Sequence, residues 1–218
     1  MAVAQPGTGA LSGPPRLRAA YAAAFAGALV FLAVAAWTQV ARRDLDVVHD
    51  TLSMYLHGPW GLLLRWAYGA LASAVIVLGT ALYHHVQRPR RSAAVLLLWC
   101  FAALGLLGVA VGDSWLPAEA PLLWPFVHGV AAMTAFLCAS VGLLLQAWYL
   151  RAAAGWERRG RLLWGWAWLA FVLLWGHVLL RAIPRGAGQK LVIVVIVGWL
   201  LCAAWTGWRM ARRTRGPA

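Results

Sequence analysis

The chain of 218 residues is 63% apolar and only 11% charged, with a mean hydropathy of +0.72, which excludes an ordinary soluble domain. Its net charge of +13 does not make it a nucleic-acid binder. The basic residues stand at the ends of apolar blocks, as headgroup-facing residues do, and no folded polar surface remains to receive a polyanion.

Residues 1–18, rich in Pro, Gly and Ala, are expected to form a flexible tail. The first apolar block, 19–40, is too long for a secretory h-region and is followed by Ala41-Arg42-Arg43 rather than a cleavage signal. It is therefore expected to persist as a span. Ala23 with Gly27, and Ala24 with Ala28, give it small faces on which a neighbouring helix can sit closely.

A polar island follows, Arg42–Trp60. It holds three of the six acids (Asp44, Asp46, Asp50) and two of the six histidines (His49, His57). Asp50 or Thr51 suits the N-cap of a short helix through Leu56, which Pro59 would end. The segment is predicted to be interfacial or re-entrant, its backbone covered by protein or water.

Further apolar blocks predict spans over 62–83, 93–111, 122–150, 162–180 and 191–208. Arginine-rich or Pro-bounded connections separate them. The fold class is thus an all-α integral membrane protein: a bundle of six transmembrane helices over 19–209, with a basic C-terminal tail, 210–218. Cys100, Cys138 and Cys202 each lie inside a block, with no disulfide, zinc or haem-attachment spacing. Trp60, Trp66, Trp115, Trp124, Trp156, Trp164 and Trp208 stand near span ends as interfacial anchors do, whereas Trp166, Trp168 and Trp175 are expected to pack.

With both termini cytoplasmic, thirteen Lys/Arg fall inside: two before the first span, three in 88–91, four in 151–161 and four at the C-terminus. Six remain outside: Arg42, Arg43, Arg65, Arg181, Arg185 and Lys190. The positive-inside rule therefore predicts a multi-pass plasma-membrane protein with cytoplasmic N- and C-termini. Five acids and His49, His57, His128 and His177 then share the outer side, leaving His84, His85 and Glu157 inside.

Candidate ligand-binding residues are His49, Asp50, Ser53, Asp113, His128, His177 and Arg181; ionisable groups at membrane depth are costly and point to function when buried. His49, Asp113, His128 and His177 are candidate metal ligands, and zinc is the cofactor such a set would suit. Asp50, Ser53, Asp113 and His128 are the catalytic candidates of a metal-dependent hydrolase acting on lipids of the outer leaflet. A Ser53–His128–Asp113 triad lacks a nucleophile elbow. In the non-catalytic reading the same cluster binds a lipid headgroup or small molecule, or belongs to an accessory membrane protein. In the plainest reading the histidines hydrogen-bond across helices, and Arg181 pairs with Asp113. Membrane lipids are the expected partners; nothing signals haem, nucleotide or nucleic acid. Whether the chain is an enzyme, and its oligomeric state, are not legible.

The segments HDTLSMYLHGP (49–59), GLLGVAVGDSWLP (105–117) and FVHGVAAMTAFL (126–137) together resemble the bacterial multi-pass family called domain of unknown function 998. The resemblance runs over about residues 20–208. It implies six spans and a shared outer site: a His–Ser pair in the first outer loop, an acid after span three, a His opening span four, and a polar stretch before the last span, here 186–190. It implies no reaction. The chain departs from the pattern at Met54-Tyr55, where the family often carries an acid, and at Gly112.

Overall fold

A computed structural model describes residues 14–86, 91–180 and 182–213, apart from the side chains of 14, 85, 113–117 and 213. The helices are α1 (Pro14–Ala41), α2 (Gly61–His85), α3 (Ala93–Glu119), α4 (Trp124–Leu150), α5 (Glu157–Leu179) and α6 (Arg185–Arg213), with a 3₁₀ helix at Leu52–Leu56. All six α-helices are long and apolar enough to cross a membrane, and no strand occurs among the described residues.

Each helix packs on its neighbours in the chain, and α6 returns to α1, closing a ring. The island end of the bundle therefore gathers the C-termini of α1, α3 and α5 and the N-termini of α2, α4 and α6. The helices are apolar on most faces, as elements between lipid and a packed interior must be. Leu29, Val30 and Trp37 of α1 are exposed, while its Tyr21, Ala24, Ala28 and Phe31 are buried. At Gly27 a Cβ would lie 2.9 Å from the Ala70 carbonyl oxygen of α2, so the small face predicted on span one is where α2 sits. Deeper in the ring the buried rings of Trp99 and Trp199 meet with centroids 6.3 Å apart.

Several helices outrun their apolar blocks. Helix α1 starts at Pro14, inside the expected tail; α3 runs past the expected end of its span at 111, through Gly112-Asp113-Ser114, to Glu119; α6 starts at Arg185 and continues into the expected basic tail. Hydrocarbon thickness limits the apolar run, but a helix that leaves the hydrocarbon keeps its backbone bonds satisfied and need not stop there. The tail residues 1–13 and 214–218 lie outside the described residues.

Two tryptophan expectations also change. Trp156 is wholly buried rather than interfacial, and Trp168 and Trp175 are exposed, lying edge-on to Phe171; lipid receives an apolar ring as readily as a protein interior does. Trp166 packs as expected, its Nε1 donating to the Val195 carbonyl at 3.0 Å. Trp199 Nε1 answers by donating to Leu163 O at 2.8 Å.

Candidate functional site: an apolar chamber beneath the island

The island is a folded cap. Arg42, buried at the end of α1, donates from Nε and Nη2 to the two Asp44 carboxylate oxygens at 2.8 and 2.6 Å. Its Nη1 donates to the His57 carbonyl, so one guanidinium joins the start of the loop to its end. Asp46 Oδ1 accepts from the amides of Val48 and His49, the side-chain-to-backbone turn that aspartate favours. Its Oδ2 lies 2.9 Å from His49 Nδ1. The His49 ring and these two amides hold the Asp46 carboxyl down at about 2, from an ordinary 3.8. Asp50 Oδ2 accepts from the Asp46 amide at 2.8 Å. All three island acids are thus engaged in the loop's own geometry.

The 3₁₀ helix turns this cap into a plug. Leu52, Tyr55 and Leu56 are buried against α1, α2, α3 and α6. Burial pushes the Tyr55 phenol upward, with the Asp50 charge adding to it. Thr51 occupies the predicted N-cap, but its side chain makes no capping bond; its Oγ1 lies 2.9 Å from Ser53 Oγ. The first-turn amide of Leu52 donates instead to Gln189 Oε1 of α6 at 2.8 Å. At the other end of the short helix, Arg65 of α2 donates to the Leu56 carbonyl at 2.8 Å.

Helix α6 completes the cap. Its opening amides at Gly186 and Ala187, which have no carbonyl partner within the helix, donate to His49 O and Val48 O at 3.1 and 2.8 Å. Lys190 Nζ donates to Val47 O at 2.7 Å and lies over the Tyr55 ring. A Cβ at Gly186 would fall 2.4 Å from Asp50 O, so only glycine lets the backbones meet there.

Under the plug lies a chamber walled by every helix except α5. Space open to the centres of water-sized molecules is about 70 Å³, ample for several atoms in a row. Its island end carries Ser53, His128 and Gln189. From there two parallel stripes descend, Ala132, Ala135 and Ala139 on α4 and Ile193, Ile196 and Leu200 on α6. Each stripe spans eleven residues from its polar head, about 16 Å of helix. Phe31 and Tyr68 meet edge-on in the wall, centroids 5.2 Å apart. Trp99 lines the deep part, its Nε1 3.5 Å from Gln146 Oε1. Beside the polar end Trp124 lies 6.0 Å from the His128 ring and 5.9 Å from the His57 ring, linking α4 to the island.

The chamber thus brings together two of the candidates, Ser53 and His128. His49 is exposed on the cap with Asp46, and Asp50 faces the loop backbone. His177 sits on the α5–α6 seam: its buried Nδ1 has no hydrogen-bond partner, and a Cβ on Gly188 would lie 2.4 Å from it. The Asp113 side chain and Arg181, with their expected pairing, lie outside the described residues. Among the described residues no three His, Cys, Asp or Glu side chains stand close enough to hold a metal ion. Residues not singled out from the sequence were Gln189, Arg42, Tyr68 and Trp99. Gln189 had a readable signal: like His128, it heads a 4-3-4 stripe of aliphatic or small residues on one helix face.

Fold and site together define a multi-pass membrane protein whose helical ring is plugged at one end and hollow beneath the plug. The model of the family described as "Protein of unknown function (DUF998)" matches residues 25–206, and the chain belongs to that family. No curated protein matches the chain, and no solved structure does.

Proposed function

We propose that this protein binds an amphiphilic membrane lipid, with its apolar portion in the chamber and its polar head at Ser53, His128 and Gln189, on the extracytoplasmic side. The observation that carries the reading is an apolar chamber with hydrogen-bonding side chains gathered at one end. A lipid tail gains little by leaving bilayer for an equally apolar wall. Selectivity therefore rests on shape along the stripes and on the polar end. There Ser53 offers a hydroxyl, His128 an imidazole, and Gln189 an amide NH₂ whose partner oxygen is already held by Leu52. Ser53 Oγ is hydrogen-bonded to Thr51 rather than to a base, which suits recognition better than nucleophilic attack.

The test is lipid analysis of protein purified in mild detergent. A defined amphiphile should be retained in stoichiometric amount by the native chain and lost from Ala132→Trp, whose indole would fill the chamber. Retention of the same lipid by both proteins, or of bulk membrane lipid only, overturns the reading. Stoichiometric zinc that disappears in the Asp113→Ala, His128→Ala double variant would instead favour the metal-dependent hydrolase.

A further inference from the structure

At the end of the bundle away from the plug, three arginines border an open groove of about 710 Å³ between the start of α3, the end of α4 and α5, a volume typical of small-ligand sites. We infer that this groove is a second site, independent of the chamber, for the phosphate of an anionic glycerophospholipid.

Two of the guanidinium groups are held in advance. Arg151 lies 4.1 Å from the Trp148 ring centre and 4.6 Å from that of Trp164. Its buried Nε has no hydrogen-bond partner. Arg91 donates from Nε to Val86 O at 2.7 Å and from Nη2 to His84 O at 3.0 Å, which leaves Nη1 for a ligand. The third, Arg161, is exposed. Neither Arg151 nor Arg161 is paired with a carboxylate among the described residues; Glu157, one turn before Arg161, accepts from the Gly155 amide instead.

Cation density without counter-charge, on a planar fork fixed by ring stacking, is the arrangement that receives phosphate oxygens in pairs at small entropic cost. Ser92 also borders the groove, at the positive end of the α3 dipole. A lipid phosphate is favoured over a free one by position. The groove lies at the ends of membrane-length helices, and Trp148 and Tyr149 line it, as aromatic residues do at headgroup depth.

Thermal unfolding of the detergent-purified full chain tests this with three additives: short-chain phosphatidylglycerol, short-chain phosphatidylcholine and inorganic phosphate. Phosphatidylglycerol should raise the midpoint, and Arg161→Gln should weaken its apparent affinity about ten-fold, the loss of one charged hydrogen-bonding partner. Arg151→Gln should weaken it further. Arg161 is exposed, so its variant stays folded even if removing Arg151 disturbs the fold. Ala132→Trp should leave the effect intact. An equal shift with phosphatidylcholine or inorganic phosphate, unchanged affinity in Arg161→Gln, or loss of the effect in Ala132→Trp would each overturn the assignment.

Discussion

Asp46 shows how a conspicuous charge can be structural. Its carboxylate serves two backbone amides and the His49 ring, and those bonds hold its pKa near 2. A carboxyl depressed on folding lends its turn stability that is complete above the unfolded value and fades as pH falls through the folded one. The window is therefore from about 4 down to about 2. Carboxyl-carbon NMR should place the Asp46 midpoint at the lower end, and His49→Ala should return it toward 3.8, since the ring is the largest cause of the shift. An unchanged midpoint in that variant would assign the shift to the amides alone. Nothing in the island sequence separates such a turn from a metal site. Asp-x-x-His supplies the same atoms to either, and only the path of the backbone decides.

At the scale of elements, the 3₁₀ plug depends on helices far from it in the chain. Gln189 supplies the cap that Thr51 does not. Gln189→Leu would leave the buried Leu52 amide without an acceptor, at a cost of about 1–3 kcal/mol. Denaturation of the purified variant should show that loss, with Gln189→Glu, which keeps an acceptor oxygen, falling closer to the native protein. Equal stability of Leu and Gln at this position would mean that the plug is held by its buried leucines and tyrosine alone. The same dependence explains what could be read in advance. The spans were legible because about twenty apolar residues in a row have one use in a membrane. Their ends were not, because helix α3 continues through Asp113 and α6 begins with the polar residues 185–190 after composition has stopped signalling. Ser53 and His128 were legible as polar residues near membrane depth. The stripe that Gln189 heads is readable on its own helix, but that this face of α6 meets the plug is a long-range contact that local sequence does not encode.

For the whole molecule, the two ends of the ring differ in what they offer. The island end is capped, with the three island acids internally bonded and three of its cations, Arg42, Arg65 and Lys190, spent on carbonyls or on Asp44. The other end displays arginines on aromatic rings, among them Arg91 over Tyr83, Arg209 over Trp205 and Arg212 over Trp208. A guanidinium stacked on an indole or phenol is suited to the level of the headgroups. We propose that such a belt faces the anionic cytoplasmic leaflet, where each basic residue near the surface gains about 1 kcal/mol. The same asymmetry would place the plugged chamber on the outside, open to amphiphiles of the outer leaflet. Val48 on the cap and Arg158 at the opposite end are both exposed and so can report orientation. In a background free of Cys100, Cys138 and Cys202, a membrane-impermeant maleimide should label Val48→Cys in intact cells and Arg158→Cys only after permeabilisation. The reverse pattern would turn the molecule over. The chamber would then draw on the cytoplasmic leaflet, and the arginine groove could no longer owe its ligand to that leaflet's anionic lipids.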